Sequence, residues 1–209
     1  MKRITGSQDF EREFNVSRET LDRLRVYAEL LEKWNSRINL VSKSTIPDLW
    51  HRHMADSAQI LALAPKQGRW LDIGSGAGFP GMVAAIMARE QSPELSFSLA
   101  ESDERKAAFL ATVARETATD ANILIGRIEG LDPAKADILS ARALAPVSQL
   151  LEFAERHLNP GGICLFPKGA QAESELTAAR QTWHIEAEAF PSMTDSQASI
   201  YRIGAFSRV

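Results

Sequence analysis

Cysteine is almost absent from this chain. Cys164 is the single one in 209 residues, so no intrachain disulfide can form and a cysteine-rich metal site is excluded. Long apolar stretches are missing as well. The longest, residues 82–88, is far too short to cross a bilayer. The opening residues, MKRITGSQDF, turn polar at once and predict no secretory leader, so no membrane partner is expected and the cytoplasm is the expected compartment. Nor is there a strong excess of charge. The net of −3 gives no reason, by itself, to expect a nucleic-acid partner. Residues 1–66 hold eleven Lys and Arg against nine Asp and Glu, and residues 67–209 thirteen against eighteen. Ordinary surface variation accounts for that difference, and an RNA-binding surface would have to be a local patch. What is present is ordinary for a folded enzyme: 44% hydrophobic and 24% charged residues, in a length that suits one α/β domain with a helical attachment.

Two regimes divide the chain, and the expected boundary lies between an N-terminal helical segment, 1–66, and an α/β unit, 67–209, packed as one compact body. In the first, Leu21, Leu24, Ala28, Leu31 and Trp34 recur at three- and four-residue spacing, which predicts an amphipathic helix capped by Ser17. A second helix is predicted from Pro47 to about Leu63, because the fixed φ of proline suits a first helical position. Beyond Gly68, strand-like runs at 69–73, 95–100, 122–125, 137–140 and 162–167 alternate with helical runs at 81–90, 103–116, 146–157 and 171–182. Such alternation implies right-handed crossovers and a mostly parallel, doubly wound sheet. Two further runs, 185–190 and 199–206, have only a turn-like gap between them and predict an antiparallel pair at one end.

The strongest local signal is DIGSGAGFPG at 72–81, directly after the first strand. A ligand crevice is expected there, beyond the carboxyl end of the strand. Gly76, Gly78 and Gly81 also satisfy the dinucleotide pattern GxGxxG, so the loop alone is ambiguous between a nicotinamide cofactor and S-adenosylmethionine. Three features favour the second: Asp72 at the end of the strand, an antiparallel tail in place of a second mononucleotide half, and too little chain for a dehydrogenase substrate domain. Glu101 closes the second strand, where a carboxylate can accept both hydroxyls of a ribose. Ile128 and Glu129, in GRIEG after the third strand, are candidates to pack on an adenine and bond its edge. They read equally well as ordinary loop positions.

These segments together resemble the small-subunit (16S) ribosomal RNA guanine-N7 methyltransferase G family, also called glucose-inhibited division protein B. The resemblance runs through LLEKWNSRINLVS at 30–42, RHMADSAQIL at 52–61, DIGSGAGFPG at 72–81, ESDERKAAFL at 101–110, GRIEG at 126–130, SARAL at 140–144 and PKG at 167–169. It implies a class I S-adenosylmethionine-dependent methyltransferase fold, with seven mostly parallel strands and an antiparallel last one. Transfer of a methyl group to N7 of a guanine in small-subunit ribosomal RNA, free or within a ribosomal particle, is the implied activity. By position, the resemblance implies cofactor contacts at Gly74, Phe79, Ile128, Glu129 and Arg142, with Glu101 as the ribose-facing acid; Gly76 joins them as a cofactor-binding candidate from the loop itself, since it leaves no Cβ to block a ligand lying against the backbone.

Guanine N7 carries a free lone pair at neutral pH, so no general base, no catalytic residue in that sense and no metal are expected. Alignment of the reacting atoms is what the chain must provide. Arg142 and Lys168, at the ends of the fourth and fifth strands, are candidates to hold RNA, joined by Arg52 and His53 from the helical segment. Arg52 and His53 fit a structural role at the junction, alongside Asp56, better than a phosphate contact. Trp34 and Trp50 sit on apolar stripes and read as core rather than as stacking platforms. Two other readings remain open: a small-molecule methyltransferase lidded by the N-terminal helices, and a non-catalytic RNA-binding assembly factor.

Overall fold

The computed structural model describes residues 3–209. Helix α1 (Ser7–Phe14) leads into α2 (Arg18–Asn35), whose first turn is capped as predicted, with the Ser17 hydroxyl accepting the Thr20 N–H at 3.2 Å. Its inner stripe, Leu21, Leu24, Ala28 and Leu31, is buried. The chain turns after α2 because the side-chain oxygen of Asn35 accepts the N–H groups of Leu40 and Val41, each at 2.9 Å.

The second N-terminal helix differs from expectation. It begins at Lys43, so Pro47 lies inside a 3-10 turn (Lys43–Asp48) rather than at a helix start. A π-helical turn (Trp50–Ala55), one α turn, α3 (Asp56–Ala58), and a second 3-10 stretch (Gln59–Leu63) complete it. The widened turn has a side-chain partner: the Arg52 carbonyl accepts from the Arg142 guanidinium at 3.3 Å. Such bulges concentrate at functional sites.

From there strands and helices alternate: β1 (Gln67–Ile73), α4 (Gly81–Gln91), β2 (Glu94–Glu101), α5 (Glu104–Glu116), β3 (Ala121–Ile125), β4 (Ala136–Ser140), α6 (Val147–His157), β5 (Leu158–Lys168), α7 (Ala172–Ala179), β6 (Trp183–Pro191) and β7 (Ser199–Arg208). The seven strands lie in the order β3-β2-β1-β4-β5-β7-β6. β7 runs antiparallel to both β5 and β6 and slots between them, so β6, not the last strand, forms the edge. The order reverses beside β1, the position where open α/β sheets bind ligands.

Two apolar layers cover the sheet. One contains Val83 and Ile86 of α4, Phe109 and Leu110 of α5, and Leu24 and Leu31 of α2. The other is built by Leu150 and Leu151 of α6 with Leu176 of α7. Helix α4 explains the apolar run at 82–88: sheet on one side and N-terminal helices on the other leave every one of those residues buried. Trp34 packs against Phe109 and Trp50 against Phe10, both at 5.6 Å between ring centres, in keeping with their reading as core. No helix among the described residues is long and apolar enough to cross a membrane.

Candidate functional site

The carboxyl ends of β1, β4 and β5 open into one cleft of about 1220 Å³. Ligand pockets usually measure about 300–1,000 Å³, so the space admits a cofactor and part of a second reactant. Gly74, Gly76, Phe79, Arg142, Lys168, Arg52 and His53 all reach its wall, which gathers most of the residues singled out in the sequence.

The floor is the glycine loop. Gly74 has φ +60°, and a Cβ there would come 2.5 Å from Leu144, whose half-exposed side chain lies against it. The Leu144 side chain can swing aside, so the left-handed φ is what favours glycine here. Beneath the loop Asp72 is fully buried. Its carboxylate accepts the Ser140 hydroxyl, which in turn accepts the Trp70 indole N–H at 2.8 Å. Burial pushes the Asp72 pKa up to about 6, with the Ser140 bond acting the other way. Asp72 therefore supports the loop from below and does not face a ligand. A Cβ on Gly81 would lie 2.5 Å from the Asp72 Cβ, so the start of α4 sits directly on this acid.

Glu101 is 7% exposed and turned toward the loop. One carboxylate oxygen accepts the Gly76 N–H at 2.7 Å and the other the Asp103 N–H at 2.8 Å. Among the described residues the cleft wall does not include Glu101, Ile128 or Glu129. Ile128 is buried in a short 3-10 turn (Ile128–Gly130), where its carbonyl lies 3.0 Å from Nε2 of His157, and Glu129 is exposed. The expected gathering of these three around the glycines is thus incomplete. Glu101 itself is bonded to the loop through the Gly76 amide.

Arg142 is the hub of the wall. Its guanidinium pairs with Asp56 at 3.0 Å, donates to Nδ1 of His53 at 2.9 Å and stacks over the Phe79 ring at 4.9 Å. His53 also stacks on Phe79, at 5.0 Å, and its Nε2 reaches the Thr45 hydroxyl at 2.9 Å. Accepting at Nδ1 fixes His53 as the neutral Nε2–H tautomer. Burial, with Arg142 and Arg52 nearby, holds its pKa down at about 3. A ring that stays neutral is not a phosphate-binding cation, and its bonds to Arg142 and Thr45 hold His53 where the helical segment meets the loop after β4. Lys168 is likewise turned inward: its amino group donates to the Ala145 carbonyl at 2.6 Å and pairs with Glu175 at 2.8 Å. Arg52 alone of the four basic candidates is exposed.

Two site residues carried no signal in the sequence. Tyr27, on the buried face of α2, donates its hydroxyl to the Ala77 carbonyl and stacks on Phe79 at 5.5 Å. Helical spacing places Tyr27 inward but says nothing of what its hydroxyl meets. Thr194, in the loop between β6 and β7, donates to Asp56 at 2.8 Å across 138 residues, a separation that no local pattern reports. Among the described residues no cluster of His, Cys, Asp and Glu is suited to a metal ion.

Residues 20–201 match the family described as rRNA small subunit methyltransferase G. The chain is 52% identical over 195 residues to a ribosomal RNA small subunit methyltransferase G of Ruegeria pomeroyi, an alignment covering 93% of this chain and 96% of the relative. It is 55% identical over 196 residues to its counterpart in Rhodospirillum centenum, covering 93% and 88%. In fold it is similar to a SAM-dependent methyltransferase from Aquifex aeolicus, with a TM-score of 0.58 at 13% identity over 85% of this chain and 98% of the other.

Proposed function

The chain belongs to the rRNA small subunit methyltransferase G family, and from that premise we propose that it transfers a methyl group from S-adenosylmethionine to N7 of a guanine in small-subunit ribosomal RNA. The observation that carries the proposal is the joint opening of three strand ends into one cleft, floored by a glycine loop and walled by Arg142. The loop fits the cofactor: left-handed backbone at Gly74 and Gly76 bares peptide groups that a nucleoside can approach, and Glu101 lies beside the Gly76 amide. Gly74, Gly76, Phe79 and Arg142 hold the cofactor in this proposal. Glu101 turns to the ribose, and Ile128 with Glu129 bounds the adenine.

S-adenosylmethionine supplies an electrophilic methyl group on a sulfonium. The chain supplies the rest by position. Guanine N7 attacks with its own lone pair, so no residue has to remove a proton. The neutral His53 and the ion-paired Lys168 agree with a site that shuttles none. Phe79, stacked with both Tyr27 and His53, gives the wall a rigid apolar face that excludes water and keeps the line of attack fixed. Exposed Arg52 at the rim is the candidate phosphate contact.

Incubation with labelled S-adenosylmethionine tests the reading, with undermethylated small-subunit RNA offered free and within assembled small subunits. Label at guanine N7 is expected, and label appearing only on the particle would make the particle the substrate. Label absent from both, or placed elsewhere, overturns the proposal. The test also decides against, or for, a small-molecule acceptor and a non-catalytic assembly role.

A further inference from the structure

Asp56 joins three walls of the cleft at once. It lies on α3, in the helical segment that precedes the sheet. One carboxylate oxygen pairs with Arg142 in the loop after β4 at 3.0 Å. The other accepts the Thr194 hydroxyl at 2.8 Å and the Gln59 amide at 3.1 Å. Gln59, one turn further along, grips the same distant loop: its amide donates to the Ser192 hydroxyl at 3.2 Å, and its carbonyl accepts the Met193 N–H at 2.9 Å. Ser192, Thr194, Asp195 and Ser196 line the cleft opposite the glycine loop, and Ser199 pairs with Lys168 across β5 and β7.

We propose that Asp56 is a positioning residue for methyl transfer: its carboxylate fixes the Arg142 guanidinium and the 192–198 loop in one arrangement, and that loop forms the RNA-facing wall. Asp56 is partly withdrawn from water, and for a simple brace apolar packing would join the same elements at least as well as a carboxylate. What the carboxylate adds is direction. Nη1 of Arg142 meets it at 3.0 Å while Nη2 donates to His53, and two bonds at different nitrogens hold the plane of the guanidinium. The loop at 192–198 is mostly polar; Met193 packs against the core, and the polar groups beside it are tied to the helical segment by Asp56 and Gln59. Arg142 and the loop therefore take up their places together.

This inference rests on the proposed RNA methylation, and its test separates the two. If the unaltered chain does not label RNA, the functional reading fails and the inference fails with it. Given labelling, Thr194→Val cuts only the loop from Asp56 and is expected to raise the KM for RNA about 5-fold, with kcat and S-adenosylmethionine affinity unchanged. Asp56→Asn cuts loop and arginine alike and is expected to raise that KM and also lower kcat about 10-fold. Because both changes release the same loop, the double variant should have the RNA KM of Asp56→Asn alone. All values are taken per folded molecule, with the folded fraction measured by circular dichroism. A Thr194→Val enzyme with unaltered KM, or a double variant whose KM effects multiply, overturns the inference. So does an Asp56→Asn enzyme that loses activity only in step with its folded fraction, which is the behaviour of a mere brace.

Discussion

Among single residues, Glu101 and His53 show how burial decides what a titratable group can do. Glu101 reads in the sequence as a ribose acceptor at a strand end, but in the structure both its oxygens accept backbone N–H groups, at Gly76 and Asp103. The two roles are compatible, because a carboxylate oxygen accepts more than one bond. Glu101→Gln, which keeps size and loses charge, is expected to weaken S-adenosylmethionine binding by about 1–3 kcal/mol in calorimetry. Unaltered affinity would confine Glu101 to bracing the loop. His53 and Asp72 make opposite contributions to stability against pH. The His53 ring is protonated near the ordinary 6.5 when unfolded but only near 3 when folded. Its stabilising contribution is complete above the unfolded value and is lost as pH falls from about 6.5 toward 3. Asp72 holds its proton to about 6 when folded against 3.8 when unfolded, so its contribution is complete below 3.8 and is lost as pH rises through about 6. Urea midpoints measured across this range should therefore fall less steeply toward acid in His53→Gln than in the parent chain. Equal slopes would mean that the ring is charged in the fold.

Elements show which parts of the architecture a sequence can disclose. The alternation of strands and helices after Gly68 was legible, with most bounds within two residues, because each strand is an apolar run bounded by turn residues and each helix has its own period; β5, which starts at Leu158 and not at 162, and α7, which ends at Ala179 and not at 182, were the exceptions. The antiparallel tail was legible for the same reason. What escaped was geometry that depends on partners far away in sequence. The passage from Lys43 to Leu63 reads as an ordinary helix starting at Pro47, yet it is distorted where Arg142, some ninety residues on, takes the Arg52 carbonyl. The glycines announced the loop, whereas its support from α2 left no mark. Tyr27→Phe tests that support. It removes the hydroxyl that satisfies the buried Ala77 carbonyl while keeping the stack on Phe79. Loss of one such bond costs about 1 kcal/mol, so S-adenosylmethionine should bind about 5-fold more weakly although Tyr27 lies under the loop and not in the cleft. Unchanged affinity would show that the loop keeps its shape without α2.

At the scale of the whole molecule, the boundary near residue 66 separates two composition regimes but not two cores. One apolar cluster contains Leu24 and Leu31 from α2, Met54 and Ile60 from the distorted helix, and Val83, Ile86 and Phe109 from the α/β unit. Polar ties reinforce it. Glu90 at the end of α4 accepts from the backbone and hydroxyl of Ser17 and from the hydroxyl of Thr20, so the cap of α2 is itself bonded to the sheet domain. Helix α4 is covered on its outer side by these N-terminal elements, and its all-apolar stretch would face water without them. A piece starting at residue 67 should accordingly expose that face and aggregate, whereas a genuine attachment would come away and leave a folded, cofactor-binding remainder. Calorimetry of the full chain should show one transition, with equal calorimetric and van't Hoff enthalpies, and saturating S-adenosylmethionine should move that transition upward as a unit. Two transitions, of which the cofactor shifted only the later, would mean that the helical segment folds apart from the site it walls.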